Sequence, residues 1–194
     1  MWVWGLVAFI AIVLIGRAMQ GSAEVSAHKK AIAKIDNFKP VVSRPANRLG
    51  PGVAIDPSSN RFAFTARGNV KVFGFSDLIA VEVMRNGSSI SVTNRGSQVA
   101  GAAVGALLLG PVGLLLGGVT GSKRSVEKIQ RLSLKVFTND LVMPVYEIVF
   151  FDDKPADPKS AIVKAASDEL DAWHGRFQTI LHGARAGVPA IAEA

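Results

Sequence analysis

The residues able to do chemistry are few and scattered. His28, His174 and His182 are the three histidines, and the last two stand eight apart on an expected helix. That spacing suits neither a metal pair nor a base beside a nucleophile. Asp152, Asp153 and Asp157 gather at a strand end and could attract a cation, but a solvated turn accounts for them better. The chain has no cysteine, which removes disulfides, thiolate ligands and thiol nucleophiles. "GSKRS" at 121–125 looks superficially like a phosphate loop. A Walker loop needs its lysine directly after glycine and a helix behind it, whereas here Ser122 intervenes and strands surround the segment. No serine elbow or dinucleotide fingerprint is found either. The expectation is a protein that is not an enzyme, with no cofactor and no metal.

A second kind of chemistry, association, is written in residues 99–121, "VAGAAVGALLLGPVGLLLGGVTG". Gly101 and Gly105, and then Gly113, Gly117 and Gly121, are four apart. Such spacing lays a groove along one helix face, where backbones can approach closely and pack by van der Waals contact. Gly110 and Pro111 break the run into halves of about 16 Å each as helices, too short to span a bilayer alone. Arg95 before the run and Lys123 and Arg124 after it place both ends on the positive, cytoplasmic side. A hairpin turning at Gly110-Pro111 is therefore expected, re-entrant or resting on the membrane; a true span and a hairpin packed only against protein are the alternatives.

The net charge of +7 is concentrated early. Between Arg17 and Arg48 seven basic residues face only Glu24 and Asp36. Arg17, Lys29, Lys30 and Lys34, with Lys123 and Arg124, form the expected membrane-surface set, since each cation near an anionic leaflet adds about 1 kcal/mol of attraction. No aromatic-basic platform accompanies the charge, so no nucleic-acid partner is expected.

Elements must position these residues. "MWVWGLVAFIAIVLIG" is uncharged and would form a helix about 24 Å long, close to a bilayer core of ~30 Å if Arg17 snorkels. It reads as an uncleaved transmembrane anchor over 1–17, terminus outside, with Trp2 and Trp4 at the outer interface. A cleaved signal, given "GSAEVSA", and a buried helix are the alternatives. Residues 18–51 read as a basic juxtamembrane helix and a Pro-rich linker. Six or seven strands follow: "GVAID" and "RFAFTA" around "PSSN", "NVKVFGF", two runs around Asn86-Gly87, then "RLSLKVFTND" and "PVYEIVFFDD". A closing helix over 157–184, with Asp157 as N-cap and Pro158 next, carries an apolar stripe of Val163, Ala166, Leu170, Trp173, Phe177 and Ile180. His174 is expected at a surface or interface. The tail, 186–194, is expected to be disordered.

The order "FSDLIAVEVMRNGSSIS", an apolar insert ending "GLLLGGVTGSKRS", then "LSLKVFTND", "YEIVFF" and an amphipathic closing helix resembles a group of bacterial and prophage membrane-associated proteins. Their core is a pleckstrin-homology-like (PH-like) β domain carrying a glycine-zipper insert. The fold class expected is thus α+β: an N-terminal transmembrane helix, then a small antiparallel PH-like sheet or barrel over 52–185 with an inserted Gly-rich helical hairpin at 98–122, and the C-terminal amphipathic helix. The resemblance implies a binding or scaffolding module with no catalytic residues; with the anchor and the basic residues after it, the expectation is a protein at the bacterial inner membrane, the bulk of the chain cytoplasmic, engaging lipid, a membrane protein or further copies of itself. Its prophage setting implies superinfection exclusion or phage defence. The alternative is a self-assembling effector that perturbs the bilayer through the glycine-zipper hairpin.

Overall fold

Turn chemistry sets the strand limits. Asp56 accepts hydrogen bonds from the Ser58 N–H at 3.0 Å and from the hydroxyls of Ser58 and Ser59 at 2.5 and 2.6 Å, and Asn60 takes φ of 52°. Together they close a hairpin between β2 (Gly52–Asp56) and β3 (Arg61–Ala66). Asn86 and Gly87, with φ of 49° and 84°, turn β5 (Leu78–Arg85) into β6 (Ser88–Asn94), the positive-φ pair a two-residue hairpin favours.

The computed structural model describes residues 23–47, 49–66, 68–94 and 128–186. The chain divides into two compact units, Met1–Val72 and Phe73–Ala194. In the first, a helix α1 (23–32) precedes a sheet ordered β1 (Val42–Arg44), β2, β3, β4 (Asn69–Gly74). Small residues, Ala54 and Ala63, lie under α1 and pack against Ile32 and Phe38, with Ile35, Val70 and Val72 at the margin.

The second unit begins at Phe73, at the end of β4, and continues into a 3-10 turn, Phe75–Asp77, whose Asp77 carboxylate accepts the Gly74 N–H at 2.8 Å. Its sheet runs β6, β5, β7 (Ile129–Thr138), β8 (Val145–Ala156), all antiparallel neighbours. Val83, Leu134 and Ile148 form one cross-strand row of fully buried side chains. Helix α2 (Ala161–Ala186) packs on β5, β7 and β8 through Val163, Leu170, Trp173, Phe177 and Leu181. Since β6 and β7 both run antiparallel to β5, they are parallel to each other on its two edges. The chain leaves β6 opposite Ala80 and returns beyond Arg85, roughly 25 Å away along the strands.

The expected α+β architecture needs correction. The described residues are mostly β, in two four-stranded antiparallel sheets rather than one sheet or barrel, flanked by one short and one long helix. Alternation tells which face a strand residue takes but not which strand it pairs with, so the division into two sheets was not legible. The expected transmembrane helix is also corrected: among the described residues no helix is long and apolar enough to cross a membrane, α2 being long but amphipathic. Residues 1–22, where that anchor was placed, the insert at 98–122 and the tail beyond 186 lie outside the described residues. The linker conceals a strand, β1, followed by Pro45, as suits an edge. The closing helix opens at Ala161 rather than 157, because Asp157 accepts the Lys159 N–H at 2.7 Å in a turn that precedes it.

Candidate functional site

Of the expected membrane-surface residues, Lys29, Lys30 and Lys34 fall within the described structure, and all three are exposed on or just after α1. Arg17, Gly101, Gly105, Gly110, Pro111, Gly113, Gly117, Gly121, Lys123 and Arg124 lie outside the described residues. The opposite side of α1 is buried through His28, Ala31 and Ile32, so burial of one face turns the lysines outward.

Polar bonds hold α1 along its length and the turn that follows it. In the helix, His28 Nδ1 shares a hydrogen bond of 2.6 Å with Thr65 Oγ1 on β3. A Cβ on Gly52 would lie 2.6 Å from that hydroxyl, 2.8 Å from His28 Nδ1 and in clash with the Ala46 backbone nitrogen, so only glycine permits the pair. In the turn, Arg61 donates to the carbonyls of Asp36, at 3.0 Å, and Asn37, while its guanidinium stacks 5.6 Å from the centre of the Phe38 ring. The Lys39 N–H donates to Asp56 at 2.8 Å.

These bonds settle protonation. Burial of Asp56 would raise its pKa, but hydrogen bonds from Ser58, Ser59 and the Lys39 backbone outweigh it and hold the carboxyl below its ordinary value. Burial lowers the pKa of His28, so the lysines adjoin a neutral imidazole at neutral pH. The positive charge of the face thus comes from lysine side chains in solvent. A cleft of about 670 Å³ beside α1 is lined largely by alanine, glycine and proline, with Glu24, His28, Asn47 and Thr65 as its polar members. Asn47 Oδ1 is already bonded to the N–H groups of Leu49 and Gly50, and the His28 imidazole and Thr65 hydroxyl, bonded to each other, are the base and hydroxyl that the cleft brings together.

The other residues considered for chemistry are held in structural roles. Arg131 pairs with Asp152 at 2.5 Å and Glu147 at 3.3 Å, and Asp153 accepts the Lys154 N–H at 2.7 Å. No group of three or more His, Cys, Asp or Glu that could hold a metal occurs among the described residues. His174, expected near a surface, is buried beside Trp173, and burial depresses its pKa to about 4. His182 is exposed. The His28–Thr65 pair was missed because its members lie 37 residues apart and neither carries a local motif.

Residues 40–152, from just before β1 to within β8, match the model of a glycine zipper containing PH domain. The chain belongs to that family. Two relatives are each 26% identical over 115 residues, or 55% of this chain. One is an immunity protein of Bacillus phage SPbeta, matched over 55% of its length; the other is the SPbeta prophage-derived uncharacterized membrane protein YomJ of Bacillus subtilis strain 168, matched over 49%. The chain spans about half the length of these curated relatives. Neither name is that of an enzyme. No solved structure matches the chain.

Proposed function

We propose that this glycine zipper PH protein is a non-enzymatic, prophage-derived immunity factor that protects its bacterial host from superinfection. It works at the inner membrane, its described units on the cytoplasmic side, by binding lipid or a membrane-protein partner. The observation that carries the reading is the family match over residues 40–152, with an immunity protein and a membrane protein among the relatives. The exposed Lys29, Lys30 and Lys34 on α1 support it physically, as a fixed basic face toward an anionic leaflet.

The test is expression in a host lacking the prophage, followed by phage challenge and membrane fractionation. Adsorption with a sharply reduced plaquing efficiency is the expected result. Reversing all three lysines to glutamate should cut the membrane-bound fraction by about tenfold or more. Unchanged plaquing by the parent phage and its relatives would sink the immunity role. The glycine spacing at 101–105 and 113–121 favours a second reading, an effector that self-associates in the bilayer. Collapse of membrane potential on expression without phage would replace the first reading with this one.

A further inference from the structure

We infer that the β7–β8 turn is a lipid-inserting tip, which enters the boundary between headgroups and acyl chains of a bilayer. The inference rests on the membrane residence proposed above and adds a contact surface independent of α1. Leu141, Val142 and Met143 are consecutive and 100%, 85% and 52% exposed, with Val145 close behind at 39%. An exposed apolar run of this kind contributes nothing to folding and marks an interaction surface or a liability to aggregate. Ile79, 46% exposed, lies at the same end of the sheet, where the bulge between Leu78 and Ala80 faces Thr138.

The tip is held in shape. The Thr138 N–H donates to the Pro144 carbonyl at 2.8 Å, the Val142 N–H to Asp140 Oδ1 at 2.9 Å, and the Asn139 N–H to the Asp77 carbonyl at 2.8 Å. Its apolar side chains are therefore presented at no further cost in backbone order. A protruding turn favours lipid over protein, because acyl chains accept a Leu and a Met without a matching pocket, which a protein partner would have to supply. Charge sharpens the choice. No Lys or Arg occurs between Lys135 and Lys154, and the charged side chains next to the turn are Asp77 and Asp140. The contact is apolar rather than electrostatic, so neutral lipid suffices and salt leaves it intact, unlike the lysines of α1.

The absence of cysteine makes the test clean. Full-length Val142→Cys and Lys154→Cys would each carry a nitrobenzoxadiazole label and be mixed with phosphatidylcholine vesicles containing acyl-chain nitroxides. The expected result is enhanced and then quenched emission at position 142 alone, unchanged in high salt. Leu141→Asp with Met143→Asp should lower the amount of label inserted by about tenfold or more, with an unchanged melting curve. An unquenched label at 142 on protein that floats with the vesicles overturns the tip and leaves membrane residence standing. Failure to float with phosphatidylcholine vesicles, phosphatidylglycerol vesicles and host membranes alike overturns both. A response only to host membranes, not to protein-free vesicles, overturns the tip in favour of a protein partner.

Discussion

The two units hold their helices by different means. Under α1 the strand residues are small, Gly52, Ala54 and Ala63, which bring backbone close but offer little apolar area. Polar contacts therefore place the helix: His28 with Thr65, Arg61 with two carbonyls, and Asp56 at the hinge that follows. Under α2 the residues are large, Val81, Val83, Leu134 and Ile148, and the helix answers with Leu170, Trp173, Phe177 and Leu181. There area does most of the work and few polar bonds are needed, although Gln178 donates to Thr93 Oγ1 on β6 at 3.1 Å. The lesson is that a helix over small residues depends on geometry, whereas a helix over large ones depends on volume.

The largest test removes volume. Phe177→Ala, at a fully buried position, should cost about 3–5 kcal/mol in chemical denaturation, seen first in the amides of α2 and β7. A loss below about 1 kcal/mol would show that α2 is not held by area.

Acid comes next. His174 has its folded pKa depressed from 6.5 to about 4, so it stays neutral when folded and binds a proton more readily once unfolded. Its contribution is fully present above pH 6.5 and is lost as pH falls toward 4, a change of roughly 3 kcal/mol. In His174→Leu that slope should disappear from hydrogen exchange of α2 and β7. Burial of His28 acts in the same direction and should remain confined to α1 and β3. Asp56, with a depressed carboxyl pKa, stabilises above its ordinary value of 3.8 and loses that contribution only as pH falls below it.

The smallest test is a pair of glycines. Gly52→Ala should destabilise by about 1–3 kcal/mol, since the Ala46 backbone cannot move aside as a flexible side chain would. Gly175→Ala, in the middle of α2 with open space around its Cβ, should stabilise by about 0.5–1 kcal/mol. Equal effects of the two, read by thermal melts, would erase the contrast between geometry and volume.

Much of the local structure was legible. "GVAID" and "RFAFTA" coincide with β2 and β3, Asn86-Gly87 makes the hairpin, and the stripe from Val163 to Ile180 is the buried face of α2. These features are written in periodicity and turn residues close together in the chain. What escaped depends on distant partners. His174 adjoins the stripe by one position, and whether such a flank is covered depends on the sheet beneath it. Strand β1 has three residues next to a proline, too short for alternation to show. Of the candidate site, the helical spacing placed Lys29, Lys30 and Lys34 between apolar positions, and they are exposed, but the buried pair beneath them joins segments that nothing local connects.

Asn86 does more than turn a hairpin. Its side chain donates to the Lys128 carbonyl at 2.9 Å and accepts from the N–H groups of Gln130 and Arg131 at 2.8 and 3.2 Å, fixing where β7 begins. The start of β7 and its register on β5 are thus set by the upstream part of the chain, while β8 pairs along its other edge. Two polypeptides translated separately, one ending and the other starting within 95–127, would carry complementary edges already keyed to each other. The same key would let that stretch lengthen or shorten while the sheet keeps its register.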